Sequence, residues 1–288
     1  MSKGLLYVVA TPIGNLGDFS PRAVETLGQV DLIAAEDTRH TQTLLRHHGL
    51  DRPMQSLHEH NERGQLEGLI AALQEGRNIA LVSDAGTPLI SDPGFPLVRE
   101  AAARGIRVVP IPGPSALACA LSAAGLPTDR FLFAGFPPRN ASQRRHWFET
   151  LASEGATLVF YESGHRILDS LQEMRGIFGA GREAVIAREM TKLHETFLRG
   201  TLDELLLQVE GDGNQRKGEM VVLLAGAPAQ ERDQVEISVE QLLGHLLRAL
   251  PLKQAVALAA EITGGKKNRL YEQALRLKGG SADGLPGG

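Results

Sequence analysis

The feature that most constrains the fold is a repeated alternation. Short apolar runs, each closed by a cluster of Gly, Pro, Ser or Asp, are followed by stretches of helical periodicity. Strands are expected over 5–10, 31–35, 55–57, 79–82 and 108–111, and helices over 21–27, 41–48, 62–75, 96–104 and 114–124. Repeated strand–helix units imply a mainly parallel sheet with helices on both faces. In such sheets ligands bind at the carboxyl ends of the strands. The fourth unit is the most telling. The run Ile79-Ala80-Leu81-Val82 ends in Ser83-Asp84-Ala85-Gly86-Thr87-Pro88-Leu89-Ile90-Ser91-Asp92-Pro93-Gly94, which gathers carboxylates, hydroxyls and free backbone amides. It is longer and more polar than an ordinary connection of about 2–6 residues.

Gly125-Leu126-Pro127-Thr128-Asp129 reads as a linker. Beyond it, strands are expected over 131–133, 157–161, 184–187, 195–198 and 220–224, and helices over 142–151, 166–178 and 202–209. This second α/β domain has more hairpin-like strand neighbours. Gly226-Ala227-Pro228-Ala229 closes it. Three helices over 239–250, 252–262 and 266–277 follow, the last two separated by Thr263-Gly264-Gly265 in the manner of a helix-turn-helix. The expected organisation is therefore an α/β domain over 1–125, a second over 126–228, a helical extension over 229–278 and a disordered tail over 279–288.

The 288 residues carry a net charge of −4, which argues against a protein that coats nucleic acid non-specifically. Local clusters are basic all the same. From Lys253 to Lys278 six Lys/Arg face two Glu, and Arg139, Arg144, Arg145 and His146 follow Phe136-Pro137-Pro138. Two separated clusters leave contact with RNA and a merely solvated helix face equally open. The single Cys119 excludes an internal disulfide and reads as a small core residue. No apolar stretch spans a membrane, and the chain runs straight into a strand without a leader, so a cytoplasmic location is expected.

The polar strand ends match no dinucleotide fingerprint and no P-loop. His58-Glu59-His60 tempts a metal reading, but no second ligand cluster has the spacing to complete a site, so no metal is expected. No Gly-x-Ser-x-Gly elbow or Cys–His pair supports a covalent nucleophile.

Five segments together carry a resemblance: Thr11-Pro12-Ile13-Gly14-Asn15-Leu16, Glu36-Asp37-Thr38-Arg39, Gly86 to Gly94, Pro112-Gly113-Pro114-Ser115-Ala116, and Arg188-Glu189-Met190-Thr191-Lys192-Leu193-His194-Glu195. The chain resembles the bacterial 16S ribosomal RNA (cytidine-2′-O)-methyltransferase I family, a branch of the tetrapyrrole-methylase-like superfamily. The superfamily's usual Gly-Asp-Pro is Gly86-Thr87-Pro88 here, which separates it from the porphyrin-precursor methylases. The resemblance implies two α/β domains, S-adenosylmethionine in the cleft between them, and a homodimer. The implied reaction is methyl transfer to the ribose 2′-oxygen of a cytidine in the decoding region of the small ribosomal subunit. The implied partner is therefore 16S rRNA, or the subunit itself.

Following the family, the cofactor is expected near Pro12, near Ser83, Asp84, Ala85, Gly86 and Thr87, and near Ser115 and Ala116. From the second domain it is expected near Tyr161, Glu162, Arg188, Glu219 and Met220. A sulfonium methyl is already electrophilic, so alignment does much of the work. A ribose hydroxyl is a weak nucleophile and needs a base or an alkoxide-stabilising cation. Glu36, Asp37, Glu189, Lys192 and Glu195 are the candidates, and the residues alone do not choose among them. Arg39, Arg139, Arg144, Lys266, Lys267 and Arg269 are expected to hold RNA phosphates. Two alternatives remain open at this point: a methylase of a small tetrapyrrole-like substrate, and a non-catalytic RNA-binding or ribosome-assembly protein.

Overall fold

The computed structural model describes residues 3–228 and 238–279. The chain divides into two compact units after Pro228.

The first unit contains two five-stranded sheets. One comprises β1 (Leu5–Val9), β2 (Leu32–Ala35), β3 (Met54–Ser56), β4 (Ile79–Val82) and β5 (Arg107–Ile111), all parallel, in the order β3-β2-β4-β1-β5. Strands β2 and β4 are buried along their whole length, as central strands covered on both faces must be. Helices α1 (Pro21–Gln29), α2 (Thr38–His47), α3 (Glu62–Gln74), α4 (Phe95–Ala103) and α5 (Ala116–Ala124) make the connections. Local chemistry sets their starts. Ser20 caps α1 by accepting from Ala23 N with Pro21 in the first turn, and Asp37 caps α2 by accepting from Arg39 N. Gly94 enters α4 at φ +111°, and a Cβ there would lie 2.7 Å from Leu81 Cδ2. Only glycine combines that turn with that approach.

The second sheet comprises β6 (Phe131–Gly135), β7 (Thr157–Ser163), β8 (Glu183–Arg188), β9 (Thr196–Thr201) and β10 (Glu219–Leu224). Its order is β6-β7-β10-β8-β9, parallel at β6–β7 and antiparallel elsewhere. Helices α6 (Ala141–Thr150), α7 (Ile167–Phe178) and α8 (Leu202–Gly211) cover one face around Phe148, Phe160 and Met174. The other face receives α5. Ala120, Leu121 and Ala124 pack with Val159, Val185, Val221 and Leu223, and Ile13 from the loop after β1 joins them. The first sheet's last helix is thus part of the second sheet's core, which fuses the halves and forms the floor of a cleft. Cys119, expected in the core, is half-buried at the edge of this cluster.

The second unit is helical: α9 (Val239–Ala249), α10 (Leu252–Thr263) and α11 (Lys267–Gly279). A capping box, Ser238 with Gln241, starts α9, and Gly264 at φ +66° ends α10. Leu243, Val256, Ala259, Leu270 and Ala274 form its own small core, with Leu277 packed against it. Gly279, expected to begin the tail, closes α11, and residues 280–288 lie outside the described residues.

Candidate active site

The ends of β1, β2, β4 and β5 are stitched into one surface. Thr11 and Gly86 exchange two backbone hydrogen bonds, Thr11 N to Gly86 O at 2.9 Å and the reverse at 3.1 Å. Thr11 Oγ1 donates to the Ser83 carbonyl and Thr87 Oγ1 to the Pro114 carbonyl. Glu36 Oε2 accepts from Asp84 N at 3.2 Å, while Asp84 Oδ1 accepts from Asp37 N at 3.0 Å. The two carboxylates therefore lock β2 to β4 reciprocally. Past Gly86, Leu89 and Ser91 sit at φ +75° and +70°. The loop they bend reaches the second sheet, where Ser91 Oγ lies 3.6 Å from the Cβ position of Gly135.

An equally strained loop faces it from the second sheet. Glu189 and Thr191 adopt φ +51° and +65°, and with Leu89 and Ser91 they are the only non-glycine residues of the described chain at positive φ. Four left-handed residues confined to two facing loops mark a site whose geometry the surrounding structure enforces. Between them stands Lys192. Its Nζ donates to Glu189 Oε1 and to Glu219 Oε2, both at 2.9 Å. Glu189 Oε1 also accepts from Glu219 N, and Glu195 Oε2 accepts from Thr191 N at 2.7 Å. The lysine stem runs past Gly14, where a Cβ would lie 2.5 Å from Lys192 Cγ. Burial opposes the ammonium, but the two carboxylates outweigh it and hold Lys192 above the usual lysine range. Burial likewise opposes charge on Glu189, yet the Glu219 amide and Lys192 bring it below the usual carboxylate range.

These loops enclose a cavity of about 480 Å³. Of the residues expected around the cofactor, Asp84, Ala85, Gly86, Thr87, Ser115, Ala116, Tyr161, Glu162, Glu219 and Met220 line it. Of the expected catalytic candidates, Glu36, Glu189 and Lys192 do. Burial, opposed by the Asp84 amide and reinforced by the charges of Asp84, Glu59 and Asp37, raises the Glu36 carboxyl. Burial raises the Tyr161 hydroxyl against the pull of the Leu117 backbone at the start of α5, and its ring stacks edge-on to Phe133 and Phe136.

Several expected residues do other things. Asp37 caps α2 and pairs with exposed Arg39, which holds its carboxyl well below the usual range. Glu195 is exposed and braces Thr191 rather than lining the cavity. Half-buried Pro12 and buried Ser83 are not among the lining residues. Arg188 is buried. Its guanidinium reaches Gln215 Oε1, the His194 carbonyl and Thr196 Oγ1, tying the Lys192 loop to the segment before β10. Glu162 lines the cavity with a spent carboxylate, which accepts from Ser163 N, Arg166 Nε and Ser170 Oγ. Arg144, expected on an RNA surface, is 4% exposed and forms a bidentate pair with Glu173 at 2.9 and 2.7 Å. The helical face turns this arginine of the run inward, while Arg145 beside it is exposed. Arg39 and Arg139 are exposed, as are Lys266, Lys267 and Arg269 on the separate helical unit.

The lining also contains residues that pattern reading passed over, chiefly Asp92 and Phe136. Asp92 was visible as the second carboxylate of the turn. Phe136, 57% exposed and set between Gly135 and Pro137-Pro138, carried the signal of an aromatic with no core to enter. Among the described residues no group of three His, Cys, Asp or Glu side chains is placed to hold a metal ion, and no helix is long and apolar enough to cross a membrane.

Two α/β layers thus share one cleft at the carboxyl edge of the parallel sheet. The family of tetrapyrrole (corrin/porphyrin) methylases matches residues 5–206, and the RsmI C-terminal HTH domain matches residues 233–278. Among solved structures, uroporphyrin-III-C-methyltransferase from Thermus thermophilus aligns with TM-score 0.54 and 18% identity, covering 78% of this chain and 96% of that one. A diphthine synthase aligns with TM-score 0.56 and 16% identity over 77% and 90%. Both likenesses concern the fold. The ribosomal RNA small subunit methyltransferase I of Pseudomonas aeruginosa is 56% identical over 283 residues, covering 98% of this chain and 100% of the relative. The protein of that name from Escherichia coli O157:H7 is 54% identical over 278 residues, 96% and 97% of the two chains. The chain belongs to the ribosomal RNA small subunit methyltransferase I family of the tetrapyrrole methylases and is a methyltransferase.

Proposed function

We propose that this chain transfers the methyl group of S-adenosylmethionine to the ribose 2′-oxygen of a cytidine in the decoding region of 16S ribosomal RNA. The full-length relatives carry the RNA part of the reading, since their names specify small-subunit ribosomal RNA. The single observation that carries the chemistry is Lys192, an ammonium fixed in the cleft by two carboxylates. Methyl transfer from a hydroxyl develops negative charge on oxygen, and a preorganised cation stabilises that charge.

The cavity fits the donor. Its volume suits a nucleoside-sized ligand. Gly86, at φ +84°, brings backbone against it without a side chain, and Ser115 opens α5 with no side-chain cap bond of its own. Gly86, Thr87, Ser115, Ala116 and Met220 would hold the donor, and Glu36 offers an acceptor for hydroxyl groups. When bound, the donor supplies an electrophilic sulfonium methyl. The chain's part is to align the nucleophile and to exclude water between the two strained loops. Lys192, kept protonated by its partners, serves as the cation and not as the base.

The reading places a homodimeric enzyme in the bacterial cytoplasm, with the cations of α11 on RNA phosphates. The test is incubation of the purified protein with labelled donor and 30S subunits, free 16S RNA or a precorrin, followed by nucleoside mass spectrometry. The expected product is 2′-O-methylcytidine from ribosomal RNA. Methylation of the macrocycle alone would transfer the chain to the small-molecule branch, and no transfer at all would leave the binding-protein reading.

A further inference from the structure

We infer that Asp92 accepts the proton of the attacking ribose hydroxyl. The inference rests on the methyl-transfer reading above and adds the group that reading lacks.

It follows from the hydrogen bonds of the carboxylates that line the cavity. Glu36 accepts from the Asp84 amide, and Asp84 from the Asp37 amide. Glu162 is filled by an amide, a guanidinium and a hydroxyl. Glu189 and Glu219 share the Lys192 ammonium, and Glu189 also takes the Glu219 amide. Fixed N–H donors and cations occupy the lone pairs of these carboxylates, and even Glu36, whose carboxyl burial raises, keeps Oε2 on the Asp84 amide. Asp92 differs in kind. Among the described residues no backbone amide, guanidinium or ammonium bonds its carboxylate, and the polar group beside it is the Ser83 hydroxyl, whose own bond runs to the Ala85 carbonyl at 3.4 Å. A hydroxyl rotates, so it donates to a carboxylate and accepts from a carboxylic acid. Asp92 can gain and lose a proton without leaving a buried group unpartnered.

Its placement agrees. Leu89 and Ser91, both left-handed, turn the loop so that Asp92 lines the cleft where the first sheet's edge meets Gly135 of the second. The titratable groups that act on it are Glu36 and Asp84 from the first sheet, and Asp92 in turn acts on Tyr161 from the second. No cation is among them. Burial, only partly offset by the Ser83 hydroxyl and reinforced by the charges of Glu36 and Asp84, raises its carboxyl to about 6. Such a group is ionised at neutral pH and still basic enough to take a proton in a transition state.

The step balances without another reactant. The O2′–H bond breaks and its proton passes to a carboxylate oxygen of Asp92. The pair left on O2′ becomes the bond to the methyl carbon, and the pair of the former carbon–sulfur bond stays on sulfur, cancelling its positive charge. Asp92 then releases the proton to solvent.

The test compares wild type with Asp92→Asn and Asp92→Glu by three measurements. Single-turnover methyl transfer by Asp92→Asn should fall about 10²–10⁴-fold and lose the acidic limb, centred near pH 6, that wild type shows. Asp92→Glu should recover part of the rate. Donor affinity, measured by calorimetry, should stay within about threefold. The unliganded protein supplies a readout free of activity. Because the folded pKa lies above the unfolded one, ionised Asp92 is a penalty that is absent below the ordinary carboxyl range and complete above about pH 6. Asp92→Asn should therefore melt higher than wild type at about pH 8, and the difference should close below about pH 4. An active wild type beside an Asp92→Asn variant with an unchanged limb, or a rate within about threefold, overturns the inference and leaves the methyl-transfer reading intact. Loss of donor binding in a folded variant assigns Asp92 to the donor and overturns it too. A wild type that methylates no ribose overturns both.

Discussion

Replacing Lys192 with Met separates two effects that a simple alanine scan would blend. Methionine keeps most of the aliphatic stem that passes Gly14 and removes only the charge. The loss in stability should be small. Lys192 and Glu189 are 30% and 20% exposed at their side chains, but Glu219 is 80% exposed, so solvent screens much of the triad. Removing such a cation costs about 1 kcal/mol, and in a unit of this size that lowers Tm by about 2–4 °C. The loss in rate should be large. A preorganised cation at a developing alkoxide contributes about 10²–10³ in kcat, roughly 2.7–4 kcal/mol, because it is already in place when the charge appears. The assay is single-turnover transfer at saturating donor, with calorimetry for donor affinity and a thermal melt for stability. A rate within about threefold of wild type together with a lowered Tm would refute the reasoning and make the triad a loop staple. Weakened donor binding with a normal saturated rate would refute it differently, by giving the cation to the donor.

Other substitutions test the neighbouring assignments. Thr87→Trp projects an indole from the turn bonded to the Pro114 carbonyl and should abolish donor binding while the far-UV spectrum stays native; unchanged affinity in calorimetry would remove this turn from the site. Arg144→Ala strands Glu173 beside a vacated, buried guanidinium site and should destabilise by roughly 3 kcal/mol in urea unfolding, whereas exposed Arg145→Ala should change little; equal effects would show that the pair is not structural. Lys266→Ala/Lys267→Ala/Arg269→Ala removes only exposed cations, so the helical unit should keep its melt. The slope of log RNA affinity against log salt should flatten by up to roughly 0.7–0.9 per lost phosphate contact, and an unchanged slope would show that these cations are merely solvated.

Much of this architecture is written locally and therefore legible. Strand β4 stands where the apolar run ends at Val82, because four buried residues between polar turns have few other fates. The start of α2 is less legible. Periodicity placed it at Thr41, but Asp37 caps the amide of Arg39 and begins the helix at Thr38. Helix α5 begins at Ala116, two residues later than expected, because Ser115 is extended. In the site, the polar strand ends announce themselves by composition. What composition does not carry is partnership across the fold. Glu219 meets Lys192 only because β10 runs beside β8, and Arg144 is buried only because Glu173 faces it from α7. Charges that look alike in sequence become clamp, staple or solvated surface according to contacts made many residues away.

Leu89, Ser91, Glu189 and Thr191 each hold a backbone conformation that costs a residue with a side chain roughly 1–3 kcal/mol. The protein therefore keeps a reserve of unrealised robustness in the two loops that face the cleft. Glycine relieves the conflict with little else lost at exposed Ser91 and at Thr191, whose hydroxyl is buried without a partner, so a thermostability screen should return to these two, whereas at Leu89 and Glu189 it also removes core packing and one carboxylate of the Lys192 clamp. The same replacements release the loops from the single shape their neighbours impose, so variants that survive heat best should be the slowest catalysts. In this chain durability and turnover are set against each other at two addressable positions, Ser91 and Thr191.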